Sequence, residues 1–272
     1  MVKNLSFFFT AIFLLLLISC HLDVIGLFRS DDLEARLVYK NTFNFLRDED
    51  RTLTLEDTFT FIVLTDTHIL DRNAHGLERL AEEIIESDAF VVILGDITEN
   101  GKQEDVERFI EIARTFGIPT FPLIGNHDIY FNTWHIWRDL IGSTSYRING
   151  TNTTLFILDS ANAFLGSEQL NWLERELKSA SDHVFIFTHA NMFVKNIIDV
   201  QQHTDIRERA RFTSMLAERG TAVFMGHTHR RSIRNAGSVK YINIEDFRSS
   251  KVYCRVEVFP EGIRYNFIRM NT

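Results

Sequence analysis

The sequence predicts an α/β fold built on largely parallel sheets. Three observations carry that expectation. Five short, unbroken apolar runs read as strands buried on both faces. Stretches with 3.6-residue apolar spacing lie between them. The resulting strand–helix alternation implies right-handed crossovers, with helices covering the sheets.

Phe59–Leu64 is the first run, and Leu77, Leu80, Ile84 and Ile85 then keep helical spacing. Phe90–Leu94 follows, with a second helical pattern at Val106, Phe109, Ile110 and Ala113. Thr120–Ile124 is the third run. Tyr146–Ile148 and Thr154–Leu158 flank Asn149-Gly150, a hairpin signal. Ser167–Ser179 and Asp205–Arg219 read as helices, preceding the runs Val184–Phe187 and Ala222–Met225 respectively. The tail (Ile233–Ile244, Lys251–Phe259, Ile263–Ile268) has no helical period. With turn signals at Ala236-Gly237 and Pro260-Glu261-Gly262, it reads as antiparallel strands completing a sheet.

The chain has 272 residues, 45% apolar and 24% charged, which excludes disorder and low-complexity architecture. No fixed-period repeat or linker divides it, so a single domain is expected over 58–272, after a polar connecting segment at 20–57. A net charge of −8 makes specific nucleic-acid binding an unexpected role. Two cysteines cannot build a disulfide scaffold, and Cys254 reads as a small apolar residue near a strand end.

Residues 1–19 read as a signal peptide: Lys3 precedes an apolar stretch from Leu5 to Ile18, too short to span a bilayer. Leu17-Ile18-Ser19-Cys20 resembles a bacterial lipobox, whose cysteine is lipidated. The expectation is an exported protein anchored to a membrane by lipid on its extracytoplasmic face. An uncleaved anchor and ordinary cleavage near Ser19 are the alternatives.

The polar residues at the strand ends carry the chemistry. The five runs lead into Asp66 and His68, Asp96, Asn126-His127-Asp128, His189, and His227 with His229. A lone histidine near a strand is usually structural; five of the chain's ten histidines at equivalent ends reverse that expectation. In α/β sheets, ligands bind beyond the carboxyl ends of the strands. Asp66/His68 and His227/His229 are i, i+2 pairs, which strand periodicity would point the same way. Carboxylate, imidazole and amide ligands without thiolate favour Mn, Fe, Zn, Co or Ni. Seven ligands exceed one tetrahedral ion and suggest two ions, with Asp96 as the carboxylate between them. Such a site keeps net positive charge, suiting a small anionic phosphate ester, and the ions lower the pKa of bound water to supply a nucleophile.

The ordered set D-x-H (Asp66, His68), G-D (Gly95, Asp96), G-N-H-D (Gly125 to Asp128), a lone histidine (His189) and G-H-x-H (Gly226 to His229) resembles the calcineurin-like metallophosphoesterases over roughly residues 58 to 245. The resemblance implies a four-layer α/β/β/α sandwich with a dinuclear site at its rim. It implies that Asp66, His68 and His229 hold one metal, that Asn126, His189 and His227 hold the other, and that Asp96 bridges them. It makes His127 the acid that protonates the leaving oxygen after hydroxide attack on phosphorus, with Asp128 orienting it. Asn100 stands where the family's protein phosphatases carry arginine, and Glu99 where purple acid phosphatases carry a metal-bound tyrosine. With 43 residues after His229, the chain looks similar to the smaller bacterial phosphodiesterases. A phosphomonoesterase, or a metal-binding lipoprotein without catalysis, are the competing readings.

Other residues take bland readings. His75 reads as a solvated loop residue, Arg230 and Arg231 as an exposed turn, Trp134 and Trp137 as packing, and Arg207–Arg211 as the wet face of a helix. His135, His183 and His203 receive no role.

Overall fold

Alternate residues of one strand serve two different cores. Phe61 and Val63 point into one apolar layer, while Ile62 and Leu64 point into another. Phe185 and Phe187 likewise join the first layer, and Val184 and Ile186 a third. Strands buried on both faces therefore account for the unbroken apolar runs.

A computed structural model describes residues 33–193 and 205–271. The signal segment, Cys20 and His203 lie outside these residues. In chain order the elements are α1 (Leu33–Leu37), β1 (Thr52–Leu53), β2 (Phe59–Leu64), α2 (Leu80–Glu83), β3 (Asp88–Ile93), α3 (Gln103–Thr115), β4 (Thr120–Pro122), α4 (Trp134–Leu140), β5 (Tyr146–Gly150), β6 (Thr153–Leu158), α5 (Ser167–Glu176), β7 (His183–Thr188), α6 (Ile206–Leu216), β8 (Ala222–Met225), β9 (Ser232–Ala236), β10 (Val239–Asn243), α7 (Phe247–Ser250), β11 (Val252–Phe259) and β12 (Gly262–Arg269).

The strands form a seven-stranded sheet, β1-β5-β6-β7-β8-β10-β9, and a five-stranded sheet, β12-β11-β2-β3-β4. The sheets pack face to face through a phenylalanine-rich layer containing Phe59, Phe61, Phe90, Phe121, Phe185, Phe187 and Phe224. Phe61 stacks on Phe90 with centroids 4.7 Å apart. Helices α2, α3 and α4 cover the outer face of the five-stranded sheet, and Trp134 and Trp137 are buried there as packing. Helices α5 and α6 cover the other outer face. The architecture is the α/β/β/α sandwich. Within each sheet one run of neighbouring strands is parallel (β2, β3 and β4; β6, β7, β8 and β10), so their carboxyl ends share an edge.

Three local expectations need correction. The tail does not complete one sheet: β9 and β10 join the seven-stranded sheet, with β10 parallel to β8, while β11 and β12 join the other. The hairpin turns at Thr151-Asn152, two residues beyond Asn149-Gly150, because Gly150 still pairs with Leu53 of β1. The helical pattern from Leu77 yields only a 3-10 turn (Leu77–Arg79) and α2, which ends where Asp88 Oδ2 takes the amide of Ile85 at 3.0 Å. Helix α6 starts where its sequence predicts, because Asp205 accepts the Arg207 and Glu208 amides. No helix among the described residues is long and apolar enough to cross a membrane.

From Leu33 onward, the stretch before β2 folds onto the sandwich. Arg36 is fully buried, with Nε and one terminal nitrogen on Asp159 at 2.7 and 2.9 Å. Arg36→Ala strands a carboxylate in a dry interior and is expected to lower the unfolding free energy by about 3 kcal/mol or more. Denaturant titration measures the loss. Adding Asp159→Leu should recover part of it, and equal losses in the single and double variants would contradict the pairing.

Candidate metal centre

The strand-end residues converge because the backbone turns sharply, not because strands alternate. Asp66, His68, Asp96, His227 and His229 all have left-handed φ, from 47° to 68°. For residues other than glycine this conformation is uncommon and costs energy, and it collects at functional sites. The expectation that strand periodicity aims each i, i+2 pair is therefore corrected. Long-range bonds hold the turns instead: Asp66 N–H donates to Gly95 O at 3.1 Å and His68 N–H to Asp96 O at 3.0 Å. Two motif glycines permit the approach. A Cβ on Gly125 would lie 2.2 Å from Asp96 N, and one on Gly226 would lie 2.0 Å from Thr65 Oγ1.

All nine residues singled out from the sequence meet at this edge, where ligand-type atoms form two outer groups and a third arrangement of His68, Asp96 and His127 between them. In the first, Asp66 Oδ1 lies 3.3 Å from His229 Nε2 and 3.8 Å from His68 Nε2. In the second, His189 Nε2 lies 3.3 Å from Asp96 Oδ2, 3.0 Å from Asn126 Oδ1 and 2.9 Å from His227 Nδ1. Asp96 Oδ2 faces both groups, being 4.0 Å from His68 Nε2, while Asp96 Oδ1 accepts the His127 amide at 2.8 Å.

These residues fit metal ions on two grounds. Ligand bonds of about 2.1 Å put neighbouring donor atoms about 3.0–3.4 Å apart, the spacing that recurs here. Asp66 Oδ1, His68 Nε2 and His227 Nε2 are also buried without hydrogen-bond partners. Orphaned acceptors of this kind cost about 1–3 kcal/mol each, and a cation removes that cost.

A family model for calcineurin-like phosphoesterases matches residues 59–231. The chain belongs to that family. Over 153 residues this calcineurin-like phosphoesterase is 30% identical to an Arcobacter nitrofigilis protein named "Probable glycerophosphodiester phosphodiesterase GpdQ", covering 52% of this chain and 56% of that one. Over 103 residues it is 27% identical to a Fibrobacter succinogenes protein named "Probable cyclic nucleotide phosphodiesterase", covering 36% and 40%. The chain thus spans about half the length of the curated relatives it matches. It shares its fold with a dimetal phosphatase from Danio rerio (TM-score 0.58, 14% identity, 78% of this chain and 99% of the other). It also shares it with purple acid phosphatase PPD1 from yellow lupin seeds (TM-score 0.60, 9% identity, 78% and 51%).

Within this calcineurin-like phosphoesterase, Asp128 does not orient His127. Its oxygens accept the amides of Ile97, Thr98 and Gly125 and the Thr98 hydroxyl, at 2.8–3.2 Å. Four donors on a fully buried carboxylate make it the tie between the G-D and G-N-H-D loops. Burial and the Asp96 charge still push it up to about 6. The main-chain carbonyl of Glu99 takes His127 Nδ1 at 2.9 Å instead.

Glu99 is also a residue that motif spacing missed. Its Oε2 lies 3.0 Å from His68 Nδ1 and 2.7 Å from an Arg248 nitrogen, so its carboxylate fixes the ring that turns Nε2 inward. Tyr130 was missed too, its ring lying 4.4 Å from that of His127. Of the remaining candidates, Arg231 pairs with Glu245 and Arg211 with Glu174, whereas His75 neighbours His68 and has its Nε2 buried, so it is not the solvated loop residue expected.

Cations that bind here must displace protons. Burial opposes the charge on His189, yet Asp96 raises it to about 9. Burial also opposes His229, yet the neighbouring Asp66 carboxylate raises it to about 9. Burial and the neighbouring His189 push His227 down to about 3. Burial opposes the charge on Asp66, but His229 and His189 hold it at about 2. Folded pKa values above neutrality mean that His189 and His229 are protonated at pH 7, whereas a ligand nitrogen must be free. Metal loading at pH 7 should therefore release protons, and affinity should climb with pH until it levels off above about 9. Calorimetry in buffers of different ionisation enthalpy measures this release; heats independent of buffer would contradict it.

Proposed function

We propose that this protein is a dinuclear metal-dependent hydrolase of phosphate diesters. The observation that carries the reading is Asp96 Oδ2, which stands between two three-residue ligand groups with His127 Nε2 4.0 Å away. Asp66, His68 and His229 would hold one ion, Asn126, His189 and His227 the other, with Asp96 shared. The donor set suits Mn, Fe, Zn, Co or Ni. When bound, such ions supply Lewis acidity toward phosphoryl oxygens and an activated water.

The protein's own residues do the rest. His127 donates Nδ1–H to Glu99 O, which turns Nε2 toward the site, where it holds the proton that the leaving oxygen takes. His127 is half-buried, and Asp66, Asp96 and His189 are buried, so the charged groups act where water screens them little. The names of the two partial relatives favour a diester substrate, glycerol-based or nucleotide. The test is a panel of small phosphate esters with the Mn²⁺-loaded protein. Faster turnover of bis-aryl than of mono-aryl phosphate is expected. The reverse order would make the protein a monoesterase, and no turnover on any ester would overturn the reading.

The leader sequence supports export and lipid anchoring through Cys20 as part of the same proposal. Cys20→Ala should move the protein from the membrane fraction to the soluble one; unchanged fractionation would contradict the anchor.

A further inference from the structure

We propose that Tyr130 is a positioning residue that decides which end of the Asn126 carboxamide faces the metal centre, an inference that rests on the dinuclear reading above. A carboxamide has an oxygen that can ligate a cation and an NH₂ that cannot. Asn126 Nδ2 donates to Tyr130 Oη at 2.9 Å, and this leaves Oδ1 on the side of His189 Nε2, 3.0 Å away. Turned over, the carboxamide would set its NH₂ against His189 Nε2 and fill a coordination position with a group that cannot ligate. The phenol oxygen is the group that takes the NH₂ on the far side.

The backbone is shaped to bring that oxygen there. After His127 the chain leaves helical geometry at Tyr130 (φ −59°, ψ 150°) and turns left-handed at Phe131 (57°) and Asn132 (62°). Phe131 is 65% exposed, so packing of its own ring does not explain a strained φ. Thr133 Oγ1 closes the reversal by donating to Tyr130 O at 2.7 Å. The outcome is that the Tyr130 ring folds back against His127 while its hydroxyl reaches Asn126. One side chain thereby registers a metal ligand and the neighbouring acid.

Two substitutions in the full chain test this, with Mn²⁺ affinity read by competition with a chromogenic chelator. Tyr130→Phe keeps the ring against His127 and removes the oxygen. Affinity should fall about tenfold, the equilibrium equivalent of leaving one buried donor unpaired in the loaded state. The dependence of turnover on the leaving group should stay as in the parent. In an Asn126→Asp background both ends of the side chain are oxygen, and Tyr130→Phe should then change affinity by less than about twofold. Parent-like affinity in Tyr130→Phe would overturn the proposal. So would equal losses in the two backgrounds, since a packing defect is common to both, including where metal-free melting drops. A parent protein that takes up no Mn²⁺ would instead overturn the dinuclear reading itself.

Discussion

Asp96→Asn should strip the protein of its metal ions and, with them, of turnover. Among the described residues Asp96 Oδ2 is the carboxylate oxygen that faces both ligand groups, and its partner Oδ1 is already committed to the His127 amide. An amide at this position removes a negative charge from between two cations. It also sets an NH₂ either toward the metals or toward the His127 N–H, and neither arrangement is favourable. Changes to groups that merely support a ligand cost about 10–100-fold in affinity; loss of a shared ligand should exceed that, with both ions affected. Elemental analysis after gel filtration reads it directly. The proton count supplies a second readout. His189 owes its raised pKa largely to Asp96, so the variant's His189 is neutral at lower pH and residual loading should release fewer protons. A variant that keeps two ions per chain would show that Asp96 is not shared.

How much of this was legible in the sequence divides along a physical line. The apolar runs and their polar ends were legible, because burial on both faces is written into consecutive residues such as Phe61 to Leu64. The clustering of Asp, His and Asn side chains at one edge was legible for the same reason, since each member sits at a strand end. What aims those ligands was not. Left-handed φ at Asp66, His68, Asp96, His227 and His229 depends on bonds between segments about thirty or more residues apart, such as His68 N–H to Asp96 O. Spacing cannot reveal such bonds. Asp128 shows the consequence: adjacency in G-N-H-D suggested a partner for His127, whereas its carboxylate reaches across to Ile97 and Thr98. The positive-φ reversal at Phe131-Asn132 carries no glycine to announce it, so Tyr130 was equally hidden. The tail was misassigned because an apolar strand does not state which of two sheets it joins.

His127→Ala should leave the metals in place and remove most of the turnover, unevenly across substrates. His127 shares with His68 and Asp96 an arrangement that could itself hold an ion, so metal content is the first measurement. Retained ions separate an acid from a ligand. His127 Nε2 lies 4.0 Å from Asp96 Oδ2, and its other nitrogen is taken by Glu99 O. One ring nitrogen is thus held by the protein, and the other is left facing the site. Deleting a positioned acid costs about 10²–10⁴-fold when the leaving group needs its proton. An alkoxide needs it; a nitrophenolate, stable as an anion near neutral pH, scarcely does. Turnover of alkyl esters should therefore fall toward the larger figure and that of nitrophenyl esters far less, so that the variant depends more steeply on leaving-group basicity than the parent. Uniform loss across that series, with both ions retained, would mean that His127 binds the phosphoryl group or shapes the pocket without giving up a proton. In that case the leaving oxygen must draw its proton from solvent, and the Glu99 carbonyl would be orienting a hydrogen-bond donor instead of an acid.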